Sequence, residues 1–249
     1  MSTGWNRPLT GGALKWIAIL TMLIDHVGAC LLEVFVMNAY GNSPLAGWFN
    51  REQMMAWYEF DVKLRLIGRI AFPLFCFLLV EGAVYTRNMG KYMCRLTVFA
   101  LLSEIPFDLA FRNRLFFMGS QNVYLTLVLG LGAVWILKGW RLQPLRLPIG
   151  LLLPAFAAQL LQTDYGAVGV LVIALMYLLR ERPWLRAVAC VAVLVTFNSL
   201  EWPTVFSFLL IALYNGKRGR QPKYFFYGFY PGHLVVLWGI GRFLLGYVV

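Results

Sequence analysis

Long apolar runs separated by short connections are the feature that most restricts how this chain folds. The first run, ALKWIAILTMLIDHVGACLLEVFV, follows a polar start. At about 24 residues it is too long for the apolar part of a signal peptide, and no cleavage pattern follows it. Hydrophobic residues make up 60% of the chain and charged residues 13%, whereas soluble domains average about 45–50% apolar and about 25% charged residues. These properties predict an all-α, polytopic membrane protein whose first helix is retained.

The apolar runs predict about nine transmembrane helices in a single domain over residues 1–249. With a cytoplasmic N-terminus, most of the 22 Lys and Arg residues lie on the inner side, as the positive-inside rule requires. The longest connection, about 38–65, contains many Trp and Tyr residues, which are typical of the outer membrane–water interface. The predicted helices lie at about 13–36, 66–86, 93–110, 121–138, 147–162, 166–180, 184–199, 202–214 and 233–248.

The net charge of +11 does not indicate a nucleic-acid partner. The basic residues are scattered between apolar runs and form no stripe with interleaved aromatic residues. The four cysteines lie in apolar segments without CxxC or zinc-site spacing, so we expect no metal centre. The expected surroundings are therefore a lipid bilayer, and the sequence leaves the oligomeric state open.

Asp25 and His26 lie inside the first apolar run, where each ionisable group costs several kcal/mol. The chain has only two histidines, and one at mid-bilayer beside a carboxylate predicts a functional role. On a helix, Lys15 and His26 lie on nearly the same face, about 16 Å apart along the axis. Because this face leads from a cation at the inner surface to an imidazole in the core, it suits a long anionic ligand that enters from the cytoplasm.

Two groups of polar residues form when the predicted helices are placed in alternating directions. The outer group consists of Asp25, His26, Arg69, Glu104, Asp108, Asn122 and Thr126. The inner group consists of Glu81, Arg87, Lys91, Arg95, residues 214–219 and the segment that ends with Tyr230 and His233. Inner cations with tyrosines suit phosphate groups. Structural interpretations stay open: a buried Asp25–Arg69 ion pair, and a solvated positive-inside loop at 217–223.

Seven short segments occur in order along the chain: KWIAILTMLIDHVG, GRIAFPLFCFLLVEG, KYMCRLTVFALLSEIPFD, NVYLTLVLGL, DYGAVGVL, ALYNGKRG and FYPGHL. Together they resemble the TraX family across nearly the whole chain. The founding member of that family acetylates the N-terminus of an F-type conjugative pilin. The resemblance therefore implies an acyl-CoA-dependent N- or O-acetyltransferase of a bacterial inner (cytoplasmic) membrane. It implies acetyl-CoA as co-substrate and a protein N-terminus or a glycan as acceptor.

TraX proteins are in turn similar to acyltransferase-3 and heparan-glucosaminide N-acetyltransferase membrane enzymes. Acyltransferase-3 enzymes carry a basic residue, ten intervening residues and a catalytic histidine in the first helix. Lys15 and His26 match that spacing, so the resemblance implies a catalytic role for His26. The Arg–x–x–Arg motif of those enzymes is not reproduced, because Lys91 and Arg95 are separated by three residues.

We expect His26 to act as general base on the acceptor, with Asp25 or Glu104 orienting the imidazole. Arg69, Asn122 or a backbone N–H would stabilise the developing oxyanion. A covalent acyl-histidine intermediate is an open alternative. The predicted acyl-CoA-binding residues are Lys15, Arg95, Lys217, Arg218, Tyr230 and His233. The predicted supporting or acceptor-site residues are Arg69, Glu81, Asp108 and Asn122.

Two other functions are compatible with buried titratable residues. In a proton-coupled small-molecule transporter, Asp25 and His26 together with Glu104 and Asp108 would form a proton relay. In a purely structural envelope component, His26 would have no chemical role. The transporter does not account for the inner group of cations or for the face that joins Lys15 to His26, and the structural role predicts that His26→Ala leaves function intact.

Overall fold

The computed structural model describes residues 7–37, 49–139, 144–220 and 222–244. Within these ranges the chain is helical and contains no β-strand, so the all-α prediction is confirmed for this part. The helices are α1 Gly11–His26, α2 Arg51–Gly68, α3 Ala71–Tyr85, α4 Met89–Arg112, α5 Val123–Lys138, α6 Arg146–Leu160, α7 Gly166–Leu178, α8 Pro183–Phe197, α9 Thr204–Ala212 and α10 Lys223–Leu244. The helix α1 continues into a π-helical segment, Val27–Val36, and a 3-10 turn, Ser199–Glu201, precedes α9.

Short polar side chains begin several of these helices. Thr10 accepts a hydrogen bond from the Ala13 N–H at the start of α1, and Asn88 caps α4 in the same way. Asn50 and Gln53 form a reciprocal capping box at the start of α2. Such caps satisfy backbone N–H groups that have no partner within the helix, so they fix where each helix starts.

The loop before α10 is held against the first turn of α1 by backbone hydrogen bonds. The Gly11 N–H donates to the Lys217 carbonyl and the Gly12 N–H donates to the Arg218 carbonyl, both at 2.9 Å. Leu9 also pairs with Tyr214 just before this point. These bonds satisfy N–H groups at the start of α1 and place the basic loop beside Lys15.

The buried core has two main parts. One is built around α3, α5 and α7, and includes Leu74, Leu131 and Ile173. The other joins α1 and the π segment to α4 and α10, and includes Phe35 and Leu234. Both parts are formed by large aliphatic and aromatic side chains, whose burial stabilises the bundle by about 25 cal/mol per Å² of apolar surface.

Many large apolar side chains point outward. Leu101 and Leu102 on α4 and Leu152 and Phe156 on α6 are all more than half exposed. Within the described residues, two helical segments, Gly11–Val36 and Arg51–Tyr85, are long and apolar enough to cross a bilayer, and five further apolar helices have 10–17 residues. The number of spans, predicted as about nine, therefore stays a prediction.

Two predicted helix boundaries are wrong. The connection predicted over about 38–65 contains α2, which begins at Arg51; residues 38–48 of that connection lie outside the described residues. The last helix begins at Lys223, ten residues before its predicted start. The pair Pro231–Gly232 resembles a helix break, but a bundle tolerates an internal proline because its neighbours cover the freed carbonyl.

Candidate functional site

Two cavities lie along α1 and α10. The histidine cavity, of about 290 Å³, is lined by residues from both parts of the core and by His26. The basic cavity, of about 500 Å³, lies toward the start of α1. The polar and ionisable residues that line the histidine cavity are Asp25, His26, Glu33, Arg65, Arg69, Arg112, Tyr124, Asp164, Tyr165 and Tyr230. Those that line the basic cavity are Lys15, Glu81, Tyr85, Thr86, Tyr92, Arg95, Tyr214, Arg218 and Tyr227.

The two histidines of the chain form a hydrogen-bonded pair at the histidine cavity. Nδ1 of His26 lies 2.6 Å from Nε2 of His233. The rings are nearly parallel, at 6°, with centroids 4.9 Å apart, which places both nitrogens between the two rings. Nδ1 of His233 lies 2.8 Å from the carbonyl oxygen of Phe229. The edges of Phe111 and Tyr230 pack against the His26 ring.

The position of Tyr230 and His233 differs from the prediction. Both are predicted in the inner, acyl-CoA-binding group, whereas the structure places both against His26, and Tyr230 also lines the histidine cavity. The reason is the early start of α10: ten residues of helix rise by about 15 Å, so His233 lies well inside the bundle. His233 therefore occupies the place beside the imidazole that was predicted for Asp25 or Glu104.

Arg65 joins two carboxylates that also line the histidine cavity. Its Nη1 lies 2.5 Å from Oδ2 of Asp25, and its Nε lies 3.2 Å from Oε1 of Glu33. Asp25 was expected to pair with Arg69 or to orient His26. Within the described residues its carboxylate bonds Arg65 and makes no hydrogen bond to the imidazole. Gly68 permits this arrangement, because a Cβ there would overlap Cβ and Oδ1 of Asp25.

Arg69 pairs with a carboxylate from a distant part of the chain. Its Nε lies 3.3 Å from Oε1 of Glu201, which is only 2% exposed. Tyr165, which also lines the cavity, stacks on Phe72 with ring centroids 3.6 Å apart. These contacts attach the α6–α7 and α8–α9 connections to the part of the histidine cavity that Arg69 and Tyr165 line.

Asp164 lies in the connection between α6 and α7 and faces the histidine cavity. Asp164 is exposed, and the protein around the cavity partly desolvates its carboxyl. This desolvation raises the pKa of Asp164 to about 6, and the nearby Arg65, Arg69 and Arg112 only partly offset the effect. The carboxyl can therefore change protonation near neutral pH.

Glu104, Asp108 and Asn122 have structural partners and do not line either cavity. The amide of Asn122 donates to Glu104 and to the Ala100 carbonyl, while its oxygen accepts from the Tyr124 N–H. Asp108 accepts from the Phe117 N–H at 2.7 Å. They hold the α4–α5 connection, and no direct hydrogen bond links them to Asp25 or His26 within the described residues, as the predicted relay would need.

The basic cavity brings together three predicted phosphate-binding cations, Lys15, Arg95 and Arg218. Nε of Arg95 donates to the Tyr227 hydroxyl at 2.9 Å. Glu81 forms part of the wall. Lys217, predicted to belong to the same group, is exposed and does not line the cavity. Three cations and several tyrosine hydroxyls at one site can bind the phosphates of a nucleotide.

Adjacent residues of α10 separate the two cavities. Phe226 lines the histidine cavity, and Nζ of Lys15 lies 5.2 Å from its ring centroid. Tyr227, the next residue, lines the basic cavity. Lys15 and His26 therefore belong to neighbouring cavities along α1, about 16 Å apart.

Sequence reasoning missed several residues of the histidine cavity, chiefly Arg65, Tyr124, Asp164 and Tyr165. Arg65 was assigned to an outer loop because the start of α2 was not predicted. A signal for Asp164 and Tyr165 was present in the sequence. Both residues belong to the segment DYGAVGVL, one of the segments that carry the family resemblance, but the resemblance implied no role for them. Within the described residues, no group of three His, Cys, Asp or Glu side chains is arranged to hold a metal ion.

The fold and the two cavities define a class: a helical bundle with an apolar exterior, a cavity lined by one member of a histidine pair, and a neighbouring cavity lined by a cluster of cations. The family described as TraX protein matches residues 10–241, and the chain belongs to this family. The chain is also 31% identical to the probable fimbrial assembly protein FimC, serogroup H1, of Dichelobacter nodosus, over 96% of this chain and 98% of that protein. No solved structure matches the chain significantly.

Proposed function

We propose that this protein is an acetyltransferase of a bacterial inner membrane that transfers the acetyl group of cytosolic acetyl-CoA to an amine or hydroxyl of an envelope acceptor. One observation carries the proposal: a cavity with three cations adjoins a cavity with a half-buried histidine, along the same two helices. The basic cavity would hold the phosphates of CoA. The pantetheine arm would extend past Phe226 and bring the thioester to His26.

The proposed topology has nine spans: α1 with the π segment, and α3 to α10. The amphipathic α2 would lie at the outer interface. Contacts between connections support this arrangement, because inner connections contact inner ones. Leu9 pairs with Tyr214, which are both predicted to be inside, and Gln121 pairs with Thr163, which are both predicted to be outside. Short helices such as α9 are viable in a bilayer where neighbouring helices shield them.

The proposed reaction needs one base and one stabiliser of negative charge. Nε2 of His26 takes the proton from the acceptor nitrogen or oxygen, which attacks the thioester carbonyl carbon. The C–S bond breaks, and the leaving thiolate takes a proton to form free CoA. Of the two predicted stabilising side chains, only Arg69 lines the cavity, so we assign the developing oxyanion to Arg69 and not to Asn122.

The similarity to the Dichelobacter protein supports a proposal for the class of acceptor. That protein is described as a fimbrial assembly protein and matches over nearly its whole length. We infer that the acceptor here belongs to a surface fibre or to a glycan of the envelope. The acceptor would reach His26 from the outer end of the histidine cavity, between Arg69 and Asp164.

The test is acetyl-CoA binding and release of free CoA thiol by the purified full-length protein in detergent. We expect His26→Ala to retain binding and to lose thiol release. The double variant Arg95→Gln/Arg218→Gln should weaken binding by about 10–100-fold, since each charge-assisted hydrogen bond contributes about 1.5–3 kcal/mol. Lys217→Gln removes a neighbouring charge outside the cavity, so it is the matched control and should bind like the wild type.

A wild type that neither binds nor cleaves acetyl-CoA would refute the proposal. Proton-gradient-driven flux in liposomes would then be measured, because it is the property of the rival transporter. Single-turnover labelling with radioactive acetyl-CoA separates the two chemical routes: a labelled protein lost in His26→Ala indicates an acyl-histidine intermediate, and its absence indicates direct transfer.

A further inference from the structure

We propose that His233 is a positioning residue: it holds His26 as the tautomer that carries its proton on Nδ1 and presents an unprotonated Nε2 to the histidine cavity. This proposal deepens the proposed function, on which its catalytic part rests. The proposed role of His233 differs from the acyl-CoA binding predicted from the sequence, and it does not involve a proton relay.

The direction of the two hydrogen bonds follows from the Phe229 carbonyl oxygen, which is the last acceptor in the series that starts at His26. Nδ1 of His233 lies 2.8 Å from the Phe229 carbonyl oxygen. A carbonyl oxygen can only accept, so this nitrogen carries the hydrogen. A neutral imidazole has one N–H, and therefore Nε2 of His233 is an acceptor. The contact of 2.6 Å between this atom and Nδ1 of His26 then requires His26 to donate.

The remaining nitrogen of His26 is consequently a lone-pair acceptor. Among the described residues, Nε2 of His26 makes no hydrogen bond, and the ring lines the histidine cavity. A backbone carbonyl on α10 thus selects, through two imidazoles, the protonation state that a general base on α1 needs. The orientation follows the same logic as the carboxylate–histidine pair of serine proteases, with an imidazole in place of the carboxylate.

Packing keeps His233 in this orientation. The side chain is only 8% exposed, and the Phe229 ring stacks on it with centroids 4.9 Å apart and an interplanar angle of 12°. When His26 takes a proton from the acceptor, its Nδ1–H continues to donate to His233. No proton passes to His233 in this step, and the proton on Nε2 of His26 leaves with the CoA thiolate.

The ¹⁵N spectrum of histidine-labelled, full-length protein in detergent micelles tests the proposal directly, because the chain contains only two histidines. In the wild type we expect both rings to be protonated at Nδ1 and unprotonated at Nε2. In His233→Gln the amide oxygen can accept from Nδ1 of His26, so the tautomer should persist. In His233→Leu the acceptor is lost, and His26 should adopt the Nε2–H form that free neutral histidine favours.

Thiol release provides the second measurement. His233→Leu should release CoA about 10²–10⁴-fold more slowly than the wild type, the range seen when a base is lost or held in the wrong tautomer. His233→Gln should stay within about tenfold of the wild type, and neither variant should change the Kd for acetyl-CoA by more than about twofold. Trp238→Phe, on the same helix, is the control and should change neither the His26 tautomer nor the rate.

Three results would overturn the proposal: an Nε2–H signal for His26 in the wild type, loss of the Nδ1–H form in His233→Gln, or an unchanged tautomer and rate in His233→Leu. The wild-type and His233→Gln spectra test the tautomer of His26 even if His233→Leu fails to fold. The two proposals fail separately. A protein with the expected tautomers but no acetyl-CoA cleavage loses the acetyltransferase function, whereas an active protein with the opposite tautomer loses only the role of His233.

Discussion

At the scale of single residues, Arg65 joins two of the carboxylates that line the histidine cavity. It contacts Asp25 on α1 and Glu33 on the π segment, and the side chains of Arg65 and Asp25 are only 24% and 15% exposed. Ion pairs with so little solvent around them are costly to break, since the remaining charge is left without a partner. We therefore interpret Asp25 as a structural partner of Arg65, and the catalytic role predicted from its position beside His26 stays a prediction.

A double-mutant cycle on this pair measures that role. Asp25→Asn should lower the stability of the protein in detergent, and Arg65→Gln should lower it further because Glu33 also loses its partner. The double variant should be no less stable than Arg65→Gln alone, which corresponds to a coupling free energy of about 1–3 kcal/mol. Thermal unfolding in detergent would report the differences.

Lys63→Gln is the control for the cycle. Lys63 lies on α2 near Arg65 but is exposed, so its loss should change the unfolding free energy by no more than about 0.5 kcal/mol. Additive effects of Asp25→Asn and Arg65→Gln would contradict the expectation and would mean that the ion pair contributes no stability. In that case an Asp25→Asn variant that is stable but inactive would return Asp25 to the catalytic group.

At the scale of helices, the position of Arg65 depends on how closely α1 and α2 approach. The contact occurs at Gly68, where the missing side chain leaves room for Asp25. The helix α1 changes to a π-helix immediately after His26. Such widened turns occur frequently at functional sites, because they redirect side chains relative to a regular helix. Glu33 lies within this segment and faces Arg65.

Gly68→Ala tests the close approach. The added methyl group would overlap Asp25, so we expect a loss of about 1–3 kcal/mol of stability from overpacking. Gly228→Ala on α10 is the matched control: nothing lies within 4 Å of the added Cβ, and the helix should gain up to about 1 kcal/mol from the better propensity of alanine. Thermal unfolding of the two variants would be compared. Equal stability would show that α1 and α2 are not in tight contact at Gly68.

At the scale of the whole molecule, sequence reasoning was successful where the signal is local and failed where it is not. The apolar runs predicted the helical class, and the spacing from Lys15 to His26 placed these residues along one helix. The pairing of His26 with His233 joins residues 207 positions apart, and hydrophobic periodicity carries no information about such contacts. The same limit applies to Arg69 and Glu201.

The distribution of charge determines the last prediction, the orientation of the bundle in the membrane. Arg114, in the α4–α5 connection, and Arg220, in the loop before α10, are both exposed arginines, and the positive-inside rule places them outside and inside, respectively. Each would be changed to cysteine in a protein that lacks Cys94, the one exposed cysteine among the described residues.

A membrane-impermeant maleimide should label Arg114→Cys in intact spheroplasts and label Arg220→Cys only after permeabilisation. Because both variants replace an exposed arginine by the same residue, differences in charge or reactivity largely cancel. The parent protein without Cys94 is the control for labelling of the buried thiols. The reverse pattern would move the basic cavity to the outer face. Cytosolic acetyl-CoA could not reach it there, so the orientation of the whole molecule decides whether the proposed donor is accessible.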